Sequence, residues 1–454
     1  MSLTDPYPYQ KKGVRKLHHF SGRALLADEM GLGKTLQCLR WVLETKASPT
    51  IIVCPASLKY NWQREALIHV GMNAEVLEGQ KAPKNSFQIQ YPLIIINYDI
   101  LTYWVKHLIK LKPKCVILDE CHYIKNRGTK RYSAVKRLCS KSKHVIGVSG
   151  TPLTNRPAEL WPVLNLIRND KYPNFMEFAH EFCRPRRTPW GWKYDGATNL
   201  GQLHEELSAL CMIRRRKADV LHQLPDKSRH VVPVELDDRT EYDEALKDFI
   251  GWLQKTSNAK AKRAKKAERL VQMGYLKRIA AQQKMPSVLN WIDNFLEESE
   301  EKILLFGIHK TVISQLFKKY KSDAVKIDGS TSSKNRQKAV ESFQSKHGAR
   351  IFIGNIQAAG VGLNLTAAST VAFCEIGWTP GEHTQGEDRL HRIGQKNATQ
   401  CFYLIARNTI EEKLCRILQE KQEVLDSTLD GKAAVSKMDI YSQLERELIQ
   451  DVRT

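Results

Sequence analysis

The chain has 454 residues, with 71 Lys and Arg against 49 Asp and Glu and a formal charge of +22. That length exceeds one ordinary core and implies roughly two to three domains; the cation surplus on a folded body is the footprint of a nucleic-acid partner, and a basic solubilising surface is the plainer alternative. The ten cysteines stand singly, with no CxxC pair and no His pair at zinc-finger spacing, and no apolar run approaches the ~18 to 20 residues of a membrane span, so a disulfide framework, a structural zinc site, a secretory leader and a membrane anchor are not expected, and a reducing intracellular compartment is.

Taken in order, RALLAD (23–28), TIIVCPA (50–56), LIIIN (93–97), CVILDE (115–120) and HVIGVSG (144–150) are short apolar runs separated by helical stretches. Their continuous apolar interiors suit strands buried on both faces of a helix-covered parallel sheet. A second series follows residue 300: KILLFGI (302–308), AVKIDGS (324–330), RIFIGNI (350–356), TVAFCEI (370–376) and QCFYLIAR (400–407). The fold class is therefore α/β, with two parallel-sheet lobes. Between them, over 157–285, strand signals mostly vanish and helical spacing dominates, which reads as helical insertions and an interdomain connection. The divisions expected are a first lobe at 1–230 with a helical insertion at about 157–212, a helical protrusion at 231–285, a second lobe at 286–425 and a helical tail at 426–454. The charged stretch 258–272 reads as a solvated helix face rather than a DNA grip.

ADEMGLGKT (27–35) follows a strand and precedes the helical LQCLRWVLE, the context a phosphate-binding loop requires. Gly31 and Gly33 let backbone N–H groups approach an anion, the helix N-terminus favours negative charge, and Lys34 adds a mobile cation. Thr35 would hold Mg²⁺ through its hydroxyl. The strict GxxxxGK[ST] pattern is not met, because Asp28 stands where its first glycine belongs. Asp28, Glu29, Met30, Gly31, Leu32, Gly33, Lys34 and Thr35 are the expected nucleotide contacts.

DECHYIKN (119–126) sets two carboxylates, a cysteine and a histidine in consecutive positions. Residues at the C-terminal end of a parallel strand project into the ligand crevice. Asp119 is then expected to bind Mg²⁺, directly or through water, and Glu120 to orient or deprotonate the attacking water. Cys121 and His122 point to opposite faces of an extended segment and make a poor metal pair; nothing nearby announces the partner base that a thiol enzyme needs.

With these blocks in order the chain resembles the superfamily 2 helicases, specifically the Swi/Snf family of ATP-driven DNA translocases. YPYQKKGV, DEMGLGKT, IIVCPASLKYNW, INYDIL, DECHYIKN and VSGTPLTN are followed by KILLFGIHK, KIDGSTSSKNRQ, AAGVGLNLTAAS and QGEDRLHRIGQ. TNRPAEL, RTPWGWKYDGATNLGQLHEEL and IRRRKADVLHQLPDK are similar to the annealing-helicase branch, whose members rewind DNA and remodel forks. The resemblance implies a bare motor of a bacterial or phage kind, akin to phage branch-migration helicases, working in bacterial or infected-host cytoplasm and as a monomer on duplex, forked or branched DNA.

It also implies roles. Gln10 would contact the adenine, with Gln385 near the nucleotide; Arg389 and Arg392 would act as arginine fingers; His122, Ser149 and Thr151 would couple the nucleotide to motion. Ser57, Lys59, Asn97, Tyr98, Gly362 and Asn364 would grip DNA phosphates, so binding would be largely indifferent to sequence. For Arg389 the plainer reading is an ion pair with Glu387 or Asp388. Trp190 and Trp192 read as packing residues of the insertion rather than base-stacking platforms. The run RRRK (214–217) either contacts DNA or braces the lobes. Two other functions fit the same motor, a nucleosome remodeller and a non-enzymatic DNA-binding scaffold.

Overall fold

The computed structural model describes residues 3–80, 90–150, 152, 156–188, 191–221, 223–247, 268–356 and 363–418. These fall into two compact units, the first ending at Gln223 and the second beginning at Leu224.

The first unit is built on β1 (Arg23–Leu26), β2 (Thr50–Cys54), β3 (Ala74–Val76), β4 (Leu93–Asn97), β5 (Cys115–Asp119) and β6 (His144–Val148). A short hairpin, β7 (Arg186–Thr188) with β8 (Gly191–Lys193), forms its own small sheet, and β9 (Met212–Ile213) returns to the main one. The seven-stranded order is β3-β4-β2-β5-β6-β1-β9, parallel throughout. Ile51, Ile52, Val53 and Ile94 to Ile96 are fully buried, as expected of strands covered by helices on both faces. Helix α1 (Pro8–His19) precedes β1 and helix α2 (Lys34–Thr45) follows it.

The second unit has β10 (Lys227–Val234), β11 (Ile303–Gly307), β12 (Ala324–Ile327), β13 (Ile351–Asn355), β14 (Thr370–Phe373) and β15 (Thr399–Ala406). Their order is β10-β15-β14-β11-β13-β12, again all parallel.

Two expectations need correction. The boundary expected at 230 falls inside β10, which pairs with β15 along eight positions, within a stretch 157–285 whose described residues are mainly helical, as expected, and otherwise carry only the short β7, β8 and β9. The helices Thr240–Lys247 and Glu268–Gln283 do not form a separate protrusion. Tyr242, Leu276 and Ile279 share one apolar core with Ile376 and Ile405 of the second unit. Residues 258–267 of the basic segment lie outside the described residues, as does the whole expected tail at 426–454.

Candidate nucleotide site and its supporting residues

Strand register decides where the polar residues of the first unit emerge. Ile213, Leu26, Val148 and Asp119 stand side by side at the C-terminal ends of β9, β1, β6 and β5. The chain leaving those strands carries Arg214 and Arg215, the Gly-rich loop, Ser149 and Gly150, and Glu120 with His122. Residues far apart in sequence thus share one sheet edge, the usual ligand side of a parallel sheet.

In the loop, Gly31 (φ 83°) and Gly33 (φ 68°) take left-handed conformations that turn successive N–H groups toward one another, and α2 begins directly after them. Lys34 Nζ lies 2.9 Å from the carbonyl of Asp28 and 3.1 Å from that of Glu29. Burial lowers its pKa, while Glu120, Asp28 and Asp119 oppose the shift. The loop is pressed from both sides. A Cβ on Gly33 would meet Gln10 Nε2 at 2.3 Å, and one on Gly150 would meet Met30 Cγ at 2.4 Å. Gln10 is buried and donates to Leu32 O at 3.2 Å.

Asp28 does not face the phosphate cradle. Its carboxylate is fully buried, accepts from Gln37 Nε2 at 3.0 Å and is paired by the Arg215 guanidinium. Arg215 also donates to Gln37 Oε1 at 2.7 Å and to the carbonyl of Tyr9. Arg214 Nη1 reaches Ala27 O at 2.8 Å and Gly150 O at 3.1 Å. Glu29 accepts the backbone N–H of Lys217. The expected contacts Asp28 and Glu29 are therefore anchors of the loop, and Arg214 and Arg215 of the RRRK run brace it. Replacing the usual glycine by aspartate makes sense as the anion that this arginine satisfies.

At the end of β5, Asp119 Oδ2 accepts from Trp62 Nε1 at 2.7 Å and Oδ1 from the Glu120 N–H at 3.0 Å. Burial and the neighbouring Glu120 push Asp119 up to about 7. Burial would raise Glu120 as well, but His122, Lys34 and Ser149 outweigh it and hold its carboxyl below the usual range. Ser149 Oγ donates to Glu120 Oε2 at 3.1 Å, and His122 Nδ1 sits 3.2 Å from Ser149 Oγ and 3.3 Å from Glu120 Oε2. Glu120 itself has φ 47°, a strained conformation for a residue with a side chain. His122, Ser149 and Glu120 form one triangle; Thr151 lies outside the described residues.

Hard oxygen donors and an acid destabilised by its neighbour suit a divalent cation, so Asp119 and Thr35 fit Mg²⁺. Bound there, the ion would neutralise phosphate charge. Among the described residues there is no group of three or more His, Cys, Asp and Glu that could hold a metal ion. Cys121 belongs to the apolar core, with its thiol pushed up by burial, and every cysteine except Cys415 is buried.

The expected DNA grips divide. Ser57 and Asn364 are exposed. Lys59 is buried, donating to Leu77 O at 2.9 Å, and Tyr98 is buried, its hydroxyl donating to Asp119 O at 2.8 Å. Both brace the first unit and are not placed to hold DNA; Tyr98 supports the acidic turn. Asn97 is buried at the end of β4. Gly362 and Trp190 lie outside the described residues.

In the second unit, the helix Pro380–Glu387 leads to both arginines. Arg389 is buried, donating to Gln385 O at 3.1 Å and Leu363 O at 3.3 Å; Arg392, partly exposed, reaches Leu363 O at 3.2 Å. Glu387 is fully buried and belongs to other partners: Lys227 Nζ at 2.7 Å, Arg229 Nη2 at 2.7 Å and Tyr403 Oη at 2.7 Å. Lys227 and Arg229 hold it down at about 2 against burial, which acts to raise it.

The SNF2-related domain profile matches residues 9–287 and the helicase conserved C-terminal profile matches 284–394. The chain belongs to the SNF2-related family. A Xenopus laevis relative named SWI/SNF-related matrix-associated actin-dependent regulator of chromatin subfamily A-like protein 1 is 35% identical over 96% of this chain and 45% of its own length. Human DNA annealing helicase and endonuclease ZRANB3 is 33% identical over 94% of this chain and 40% of its own length. The SNF2-related chain thus spans about half the length of the curated relatives it matches. Both come from animals, which lends nothing to the bacterial or phage source expected from the sequence. The Sulfolobus solfataricus SWI2/SNF2 ATPase core in complex with dsDNA is 26% identical, with 100% of this chain and 98% of that chain covered and a TM-score of 0.43. At that score the likeness adds nothing to the assignment. Among the described residues no helix is long and apolar enough to cross a membrane.

Proposed function

We propose that this chain is a DNA-stimulated ATPase that moves along duplex DNA and reshapes forks or branched junctions, in the manner of annealing helicases. One observation carries the reading: a single sheet edge gathers the Gly-rich loop, Lys34, Asp119, Glu120, His122 and Ser149. Loop amides and Lys34 would hold the phosphates of ATP, Thr35 and Asp119 would hold Mg²⁺, Gln10 would read the base, and ionised Glu120 would take a proton from the attacking water. Ser149 and His122 would relay the state of that carboxylate to the rest of the unit. Arg392 would supply positive charge as the γ-phosphoryl leaves, with Arg389 positioning its loop, so turnover would need both units. The printed names of the relatives, one a chromatin regulator and one an annealing helicase, support two substrates for the same motor, and the annealing reading is preferred here because its branch carries the PWGW insertion.

The test is ATP turnover without DNA and with single strands, duplex and forks, followed by movement of a four-way junction compared with nucleosome sliding. Stimulation by DNA and junction movement are expected. An ATPase indifferent to every DNA would sink the proposal.

A further inference from the structure

The hairpin of β7 and β8 is a two-stranded sheet of its own. Such a unit has little intrinsic stability, so its support matters. Arg186 holds Asp195 through two bonds of 3.1 and 2.8 Å. Gly196 comes so close to Cys183 and Arg184 that an added Cβ would lie 3.0 Å from Cys183 O. The Thr198 N–H donates to Phe182 O at 3.1 Å, and Tyr194 stacks edge-on against Phe175 at 5.1 Å. The base is fixed, and β8 is exposed along its length.

Register places Arg187 opposite Trp192 on one face and Arg186 opposite Lys193 on the other. The Trp192 ring sits edge-to-face against His180 at 6.3 Å, yet 52% of the residue remains in solvent. A large indole, steadied at one edge, left open and paired across the hairpin with the exposed Arg187, offers a π-face beside a guanidinium. That charge selects an anionic partner, and the open π-face selects a planar one.

We infer that Trp192 is a base-stacking platform for unpaired nucleotides of branched DNA, with Arg187, its cross-strand neighbour, holding a flanking phosphate. Phosphate alone would call for cations without an aromatic plate, and a fully paired duplex buries its base faces. This deepens the function proposed above and rests on it. It also reverses the expectation that Trp192 packs within the insertion, since exposure is what stacking requires. The chain downstream of the hairpin runs through the helix Leu200–Leu210 and β9 to Arg214 and Arg215, the residues that brace the phosphate loop, so a strand held here would be tied to the element that supports the nucleotide site.

The experiment measures fluorescence anisotropy of labelled fork, gapped duplex and blunt duplex at fixed ionic strength, for the wild type, W192A, W192F and R187Q. Losing one stacked base corresponds to roughly five- to 150-fold weaker binding. W192A should lose about that much on fork and gapped duplex while the loss on blunt duplex is much smaller, W192F should retain most of the affinity, and R187Q should weaken binding with a shallower salt dependence. Unchanged fork binding by W192A, or an equal loss on blunt duplex, would overturn the inference. A wild type that binds none of the three DNAs would instead overturn the underlying functional proposal.

Discussion

Glu120 in the first unit and Glu387 in the second are both shielded carboxylates beside parallel sheets, but their partners differ in kind. Glu387 is saturated by the cations Lys227 and Arg229 and by the Tyr403 hydroxyl, all reaching a side chain with no exposure. Glu120 is held by a hydroxyl and an imidazole, keeps 13% of its side chain exposed, and sits on strained backbone. The first arrangement locks an acid for structure: it fastens β10 to the helix before Arg389. The second holds an acid charged through a hydroxyl and an imidazole, and in the function proposed that acid is the base. Similar sheets thus carry one acid as a brace and another as a proposed base, according to whether the acid meets guanidinium and ammonium groups or hydroxyl and imidazole groups.

This contrast can be broken at several points. The largest effect is expected from Arg392→Ala, which should cut ATP turnover by about 10³- to 10⁵-fold with the fold intact by circular dichroism; a loss under tenfold would remove Arg392 from the chemistry. Glu120→Gln keeps the shape but not the charge and should lower turnover by about 10²- to 10⁴-fold while nucleotide binding, measured by calorimetry, persists. Glu387→Gln tests the locked acid. Leaving Lys227 and Arg229 against a neutral group should cost about 3 kcal/mol of unfolding free energy, read from urea denaturation. The acid profile follows the same logic. The folded pKa of Glu387, about 2, lies below its ordinary 4.5, so its contribution is complete above about 4.5 and fades as pH falls toward 2. In E387Q that part of the acid sensitivity should vanish.

How far the sequence is legible depended on where each residue's partner lies. Ile51 to Val53 and Leu93 to Ile96 announce buried parallel strands because both faces are apolar. β10 does not: KSRHVVPV contains a proline and spends its cations on Glu387, a partner 158 to 160 residues away. β3 is a three-residue edge strand, too short for any period. In the site, Asp119 and Glu120 stand out because they end a strand signal, and Lys34 because it opens a helix directly after a Gly-rich loop. Asp28 was visible as an odd residue, but its partner Arg215 is 187 positions distant. Trp62 carried no mark of its bond to Asp119. Lys59 and Tyr98 were transferred from a family pattern of DNA grips, and only coordinates could place their side chains in the interior.

The scattered, buried thiols have a use of another sort. Thiol reagents attack thiolates, which burial suppresses at Cys54, Cys115, Cys121 and Cys211 in the first unit and at Cys374 and Cys401 in the second. Alkylation at these positions therefore waits for the local structure to open. Because the two units hold different cysteines, one labelling time course resolved by peptide mass dates the opening of each separately, and the native sequence serves as its own pair of clocks.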